Sequence, residues 1–380
     1  MIAQALPIRV LVVDDSTFMR NTLSTMLMKY PDVQVVGTAK NGWEALSQVA
    51  TVSPDVMTLD VEMPGMNGLE VLERVMADHP LPIVMVSQVT QEGARETFQA
   101  LARGAFDFFP KQQRVSFGDL ESLEARLYEK IKSAFENKKR FLRSLGKDEG
   151  GSPSFVERLA DRTSFTQRYS VKHDGDSLLG DTATPVKHLN ADLLVIGGST
   201  GGAQVLSEMV RYIPEWFPMP ILIVQHMPKF FTKVFASQLG KIARIPVHEG
   251  QDGEILEKGK AVLAPGDQHA TVVRNAQGAP MISISDEPCD RPYWPSIDLA
   301  LTSAAKQFGA GVLAVILTGM GQDGMVGCQE IKKQGGKVLV QDEPSSMVYG
   351  MNRAVWEAGL ADEMVSGSHL GPRLVELVST

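Results

Sequence analysis

The sequence predicts two α/β domains in tandem, each built on a parallel sheet with helices on both faces. Short apolar runs alternate with amphipathic stretches from Ile8 to about Lys132, as in repeated strand–helix units. The same alternation returns at Leu193, after a polar, weakly periodic stretch that ends near Asn190. Carboxylates, hydroxyls and glycines stand just beyond several of the apolar runs, at the strand ends where open parallel sheets bind ligands. The expected boundaries are residues 8–132 for the first domain, 133–190 for a helix and linker, and 191–378 for the second domain.

In the first domain the strands read as Arg9–Val13, Gln34–Thr38, Val56–Asp60, Ile83–Ser87 and Ala105–Phe109. A charged helix from about Leu120 to Arg143 comes next. The run Lys147-Asp148-Glu149-Gly150-Gly151-Ser152-Pro153 opens the linker, which carries a short helix near Phe155–Leu159. In the second domain the strands read as Leu193–Ile196, Ile221–Val224, Val312–Leu317 and Lys337–Val340, with an amphipathic helix from Ala203 to about Ile213. There is no internal repeat and no low-complexity tract.

Composition narrows the function. With 380 residues, 43% of them hydrophobic, the chain is long enough to bury two ordinary cores. A formal net charge of −8 argues against a nucleic-acid partner, which selects a basic surface. Cys289 and Cys328 lack metal-ligand spacing and form no disulfide framework, which suits a reducing cytoplasm. No apolar run approaches the roughly 20 residues of a membrane span, and no basic segment precedes an apolar one at the N-terminus. A cytoplasmic protein without membrane insertion is expected.

Asp14 and Asp15 end the first predicted strand, Asp60 the third and Ser87 the fourth, and Lys111 comes after the fifth. Carboxylates converging on one spot repel each other unless a cation joins them, and a hard ion such as Mg²⁺ suits an all-oxygen set. An aspartate is also a nucleophile toward phosphorus, and Lys111 and Ser87 supply a point charge and a hydroxyl for phosphoryl oxygens. The bland reading of Asp14-Asp15 alone is a solvated turn after a strand.

Gly197-x-Ser199-x-Gly201 lies between an apolar strand and a helix, the context of a nucleophile elbow. The helix behind Ser199 presents unpaired N–H groups that favour negative charge. His226 ends the next strand and Asp323 comes after a later one, so a base and an orienting acid share the same sheet edge. Two readings compete here. Ser199 could sit in a plain phosphate-binding turn, with His226 structural. Gly319-x-Gly321-x-x-Gly324 is also a full dinucleotide fingerprint, with Asp342 beyond it, so a phosphorylation-regulated nucleotide-binding module is the alternative.

Residues 8 to about 130 resemble a response-regulator receiver domain through Val12-Val13-Asp14-Asp15-Ser16, Asp60-Val61-Glu62-Met63-Pro64-Gly65-Met66-Asn67-Gly68, Ser87 and Phe106-Asp107-Phe108-Phe109-Pro110-Lys111. The resemblance implies a flavodoxin-like fold and phosphorylation of Asp60 by a histidine kinase. It implies Mg²⁺ held by Asp15, Asp60 and the Glu62 carbonyl, with Asp14 acting through water. Phe108 takes the position of a switch aromatic that turns inward after phosphorylation. The family places proline directly after the lysine; here Pro110 precedes Lys111 and Gln112 comes after it.

Residues from about 190 to 378 resemble the catalytic domain of the chemotaxis protein-glutamate methylesterases. The motifs are Ile196-Gly197-Gly198-Ser199-Thr200-Gly201-Gly202, Val224-Gln225-His226-Met227-Pro228 and Leu317-Thr318-Gly319-Met320-Gly321-Gln322-Asp323-Gly324, with Ala264-Pro265-Gly266-Asp267-Gln268-His269 and Pro295-Ser296-Ile297-Asp298. Gly198 and Gln322 stand where alanine and asparagine are commoner. The resemblance implies a Rossmann-like α/β catalytic domain with Ser199 as nucleophile, His226 as general base and acid, Asp323 as orienting acid and the Met320 N–H as oxyanion donor. His269 and Asp298 shape the cleft. The implied reaction is hydrolysis of glutamate γ-methyl esters on methyl-accepting chemotaxis receptors, with deamidation of receptor glutamines. No cofactor is implied for ester hydrolysis; Mg²⁺ serves the phosphorylation step.

Overall fold

The computed structural model describes residues 6–111, 117–144, 189–287 and 293–379. The 147–153 run, the short helix expected near Phe155–Leu159, nearly all of the linker, Gln112 and Cys289 lie outside the described residues. No described helix is long and apolar enough to cross a membrane.

The first domain runs β1 (Ile8–Val13), α1 (Thr17–Met28), β2 (Val33–Ala39), α2 (Gly42–Val52), β3 (Val56–Asp60), α3 (Gly68–Asp78), β4 (Ile83–Gln88), α4 (Gln91–Ala102) and β5 (Asp107–Lys111). Its sheet has the order β2-β1-β3-β4-β5 with every pair parallel, the doubly wound flavodoxin-like order. Capping residues set the helix starts. Asn41 accepts from the Glu44 N–H at 2.9 Å, and Asn67 and Glu70 form a reciprocal capping box, both bonds at 2.9 Å. Strand order reverses between β1 and β3, which opens a crevice at the ends that carry Asp14 and Asp60.

β5 corrects the predicted strand. It covers Asp107–Lys111 rather than Ala105–Phe109, so Lys111 is its last residue and not a residue beyond it. Apolar content shifted the prediction: Ala105 and Phe106 are fully buried but precede the ladder. Pro110 is tolerated within β5 because this strand is the sheet's edge. The predicted charged helix divides at Asn137 into α5 (Phe117–Glu136) and α6 (Lys138–Ser144).

The second domain runs β6 (Leu193–Gly198), α7 (Gly202–Met209), β7 (Ile221–Gln225), α8 (Lys229–Ile242), β8 (Val247–Glu249), β9 (Ala261–Leu263), β10 (His269–Arg274), β11 (Pro280–Ser285) and α9 (Ile297–Phe308). It continues with β12 (Val312–Ile316), α10 (Met325–Lys333), β13 (Lys337–Gln341), α11 (Met351–Glu357), β14 (Glu363–Val365) and α12 (Gly367–Val378). The main sheet, ordered β14-β13-β12-β6-β7-β9-β8, is parallel throughout, and β10–β11 is a separate antiparallel hairpin. Alternate residues of β6 divide between two cores. Leu194 and Ile196 pack with α7, α8 and α12, while Leu193 and Val195 pack with α9, α10 and α11. Helix α7 stops at Met209, short of the predicted Ile213; Arg211 and Tyr212 donate three residues back, to the Glu208 and Met209 carbonyls, in tighter turns, and Pro214 keeps Ile213 out of the helix.

Candidate active site and phosphorylation site

Three strand ends build the candidate active site. β6 lies between β7 and β12, with Gly198 in register with Gln225 and Gly197 with Ile316. Ser199 therefore leaves β6 beside His226 and the loop after β12. The His226 N–H donates to the Gly198 carbonyl at 3.0 Å, and the Ser199 N–H to the Thr318 carbonyl at 3.1 Å. Gly201 then turns the chain into α7 with φ +82, where a Cβ would come within 2.7 Å of Met347. Gln225, nearly fully buried, ties the elbow from beneath, its Nε2 donating to the Ser199 carbonyl at 2.8 Å.

The predicted acid and base meet. His226 Nε2 lies 2.8 Å from Asp323 Oδ2. Asp323 also accepts from the N–H groups of Ile297 (2.7 Å), Asp298 (2.9 Å) and Gly324 (3.1 Å), and from Ser296 Oγ at 3.2 Å. It caps the N-terminus of α9, where the helix dipole favours an anion. Burial works to raise its pKa, but His226 and these N–H donors outweigh burial and lower it. An ionised Asp323 only accepts, so Nε2 carries the hydrogen between them, and in the neutral ring the lone pair falls to Nδ1. Nδ1 is buried without a hydrogen-bond partner among the described residues. In chymotrypsin-like serine proteases the acid meets Nδ1 instead of Nε2.

The Met320 N–H, predicted as oxyanion donor, makes no hydrogen bond to any described residue, and Met320 lines the same cavity of about 640 Å³ as Ser199 and His226. Asp298 Oδ1 accepts from the N–H groups of Gly324 (2.9 Å) and Gly327 (2.8 Å) at the start of α10. A carboxylate thus fills the place a nucleotide phosphate would need, and the Gly319–Gly324 loop does not serve the dinucleotide alternative. Asp342 is likewise occupied, capping the turn at Ser345 at 3.1 Å. His269 accepts from the Ser296 N–H at 3.3 Å and so supports the segment that presents Asp298.

In the first domain, Asp14, Asp15 and Asp60 bring carboxylate oxygens within 4.8 Å of one another. Lys111 Nζ bridges Asp14 (2.8 Å) and Asp60 (2.6 Å), a cation held by the same oxygens that suit a hard metal ion. Burial pushes the Asp60 pKa up to about 6 against the pull of Lys111, with the Asp14 charge adding to the rise. The Glu62 N–H donates to Asp60 Oδ1 at 3.2 Å, which sets the Glu62 backbone beside the cluster; its exposed side chain meets Gln88 instead. Ser87 faces elsewhere. Its hydroxyl donates to the Gly93 carbonyl at 2.9 Å, in the first turn of α4.

The CheB methylesterase family profile matches residues 194–374, and that of the response regulator receiver domain matches residues 10–120. The chain is 40% identical to protein-glutamate methylesterase/protein-glutamine glutaminase 1 of Oleidesulfovibrio alaskensis over 98% of its own length and 99% of the relative's. The chain belongs to the CheB methylesterase family. The corresponding protein of Pyrococcus horikoshii is 37% identical over 98% of this chain and 94% of that one. The crystal structure of the Thermotoga maritima CheB methylesterase catalytic domain aligns with 50% of this chain and all of that chain, at 35% identity and a TM-score of 0.48.

The receiver domain packs against the methylesterase domain at the mouth of the cavity. Phe98 on α4 stacks on Phe235 of α8 (5.1 Å, 14°), and Phe108 on β5 stacks on Phe231 (4.5 Å, 21°). Asp107 reaches further. Its buried carboxylate accepts from Thr200 Oγ1 and from Lys130 Nζ, both at 2.6 Å, and Thr200 is the neighbour of Ser199. Arg140 pairs with Glu343 on the far side. Phe108, predicted as a switch aromatic, points outward into the partner domain. In the sequence, Asp107 and Thr200 stand only as members of longer motifs, and no role was predicted for either. An acid beside the switch position and a hydroxyl beside the nucleophile were the available signals.

Proposed function

We propose that this chain is a phosphorylation-activated protein-glutamate methylesterase that hydrolyses γ-methyl esters on chemotaxis receptors in the cytoplasm. The observation that carries this is the bare Nδ1 of His226, held by the Nε2–Asp323 bond beside the elbow of Ser199. Ser199 Oγ attacks the ester carbonyl carbon and its proton passes to His226 Nδ1. The Met320 N–H meets the developing oxyanion. His226 then protonates the departing methoxide, methanol leaves and an acyl-serine remains. Water, deprotonated by the same nitrogen, hydrolyses it to glutamate. A receptor glutamine takes the same course with ammonia as leaving group.

The receiver is the switch. Asp60 takes the phosphoryl group from a histidine kinase; Asp15, Asp60 and the Glu62 carbonyl, with Asp14 in support, would hold a Mg²⁺ ion, which would supply neutralisation of phosphoryl charge. Lys111 and Ser87 meet the phosphoryl oxygens, which draws Ser87 off Gly93. Phe108 turning inward leaves Phe231, and the contact over the cavity weakens. Methanol release from methylated receptor, measured with and without acetyl phosphate and Mg²⁺, tests the reading: release should rise several-fold with phosphodonor. No release under either condition would overturn it.

Asp60→Asn gives an independent check. A carboxylate whose folded pKa of about 6 exceeds its unfolded value of about 3.9 costs stability as pH rises from about 4 to 6, and that cost persists at pH 7. Asp60→Asn should raise receiver stability at pH 7 by about 1–3 kcal/mol and flatten that slope. It should also abolish labelling by acetyl phosphate and the thermal stabilisation that Mg²⁺ gives the wild-type chain. Differential scanning calorimetry with a labelling assay reads all three effects.

A further inference from the structure

Tyr293 lies face to face with the proposed base. Its ring and that of His226 are 4.5 Å apart between centroids and 7° from parallel. The edge of the imidazole is tied to Asp323, so the stack restrains the freedom that bond leaves, tilt of the ring plane. The Tyr293 hydroxyl lies against Gly321, where the backbone has φ +81 and a Cβ would come within 2.4 Å of Oη. The side chain fills room that only glycine leaves, in the loop that carries Met320. The adjacent Trp294 leans on His269 at 4.3 Å with the rings tilted by 36°, and His269 accepts from the Ser296 N–H. An aromatic pair thus clamps two histidines.

We propose that Tyr293 is a positioning residue for the esterase reaction: its ring fixes the plane of His226 and stabilises the imidazolium formed as Ser199 gives up its proton. The inference rests on Ser199, His226 and Asp323 acting as nucleophile, base and orienting acid. A cation over an aromatic face is stabilised by the ring quadrupole, most strongly where water is excluded. The neutral imidazole gains little from that quadrupole, so the effect belongs to the transition state and not to substrate binding. Burial and the Asp323 charge both raise the Tyr293 pKa, which keeps the ring a neutral phenol at working pH.

The test uses the full-length chain and a small fluorophosphonate, whose capture by Ser199 separates a binding constant from a maximal inactivation rate. Tyr293→Leu should lower the maximal rate by about tenfold with the binding constant unchanged. Tyr293→Phe should stay within about twofold of wild type, and 3,4,5-trifluorophenylalanine at 293 should fall between Phe and Leu because fluorine depletes the π face. A Leu variant as fast as wild type, or a loss confined to binding, overturns the proposal. A trifluoro variant matching Phe reduces Tyr293 to a space-filler and also overturns it. Wild-type chain inert to the probe, or Ser199→Ala as reactive as wild type, would instead sink the serine mechanism beneath it.

Discussion

Ser199→Ala should release no measurable methanol from methylated receptor while unfolding at the wild-type temperature; Asp323→Asn should lose on both counts. The difference comes from the surroundings of each side chain. Ser199 is half-buried at the cavity wall, and its hydroxyl has no partner among the described residues, so its removal leaves nothing unsatisfied. Asp323 receives donors on both oxygens: His226 and the Ile297 N–H on Oδ2, Ser296 and the Asp298 and Gly324 N–H groups on Oδ1. An asparagine has one oxygen that accepts and one NH₂ that donates, so either orientation sets amide N–H against N–H groups. With the amide toward His226, the imidazole must shift its hydrogen to Nδ1 and can no longer accept from Ser199. With the oxygen toward His226, the N-terminus of α9 meets a donor instead of an anion. By analogy with other Ser-His-Asp triads, turnover should fall roughly 10³–10⁴-fold. The unpaired buried donors should cost about 1–3 kcal/mol in addition. Initial rates and thermal unfolding on the two variants separate these effects. Asp323→Asn retaining a tenth of wild-type turnover would mean that this carboxylate is a helix cap and no more.

That pairing of roles marks where the sequence was legible and where it was not. Asp14, Asp60, Ser199 and His226 could be placed because parallel strands announce themselves as apolar runs, and the residue after such a run lies at the carboxyl edge. β8, β9 and β14 went unseen because strands of three residues are too short to show a period, and the longer β10–β11 hairpin was not predicted either. β5 was displaced by two residues because Ala105 and Phe106 are as apolar as the ladder after them. The dinucleotide fingerprint at Gly319–Gly324 is locally sound, standing between β12 and α10; Asp298, 26 residues from Gly324, takes the Gly324 N–H and that of Gly327 in the first turn of α10. Nothing near Gly319 reports that. The partners of Asp107, Thr200 and Tyr293 are likewise fixed by contacts between elements remote in sequence. The His226–Asp323 pair was readable because both residues stand at one sheet edge; the other pairings were not.

The inter-domain contact leads to the last expected result: Phe98→Ala should activate the unphosphorylated chain. Phe98 is 7% exposed, and it meets Phe231 edge-on at 6.4 Å as well as Phe235 face-on. A buried aromatic at the centre of a contact costs about 2–4 kcal/mol when truncated. If the receiver covers the cavity with a preference near 99:1, the closed state is favoured by only about 2.7 kcal/mol, so that loss opens between about a quarter and nine-tenths of the molecules in place of about one in a hundred. Unphosphorylated Phe98→Ala should then hydrolyse methylated receptor at least tenfold faster than unphosphorylated wild type, and acetyl phosphate should add little. Labelling of Asp60 should persist, because the carboxylates and Lys111 stand at the ends of β1, β3 and β5, whereas Phe98 lies on α4. A chain beginning at Leu189 should match the variant and ignore phosphodonor. Asp107→Asn should act in the same direction but more weakly, since Thr200 can exchange one acceptor for another or for water while Phe98 has no such substitute. Lower activity in Phe98→Ala, with labelling intact, would reverse the logic: the receiver would then be holding the elbow at Thr200 in its working shape, and activation by phosphorylation would have to come from a repacked contact in place of a released one.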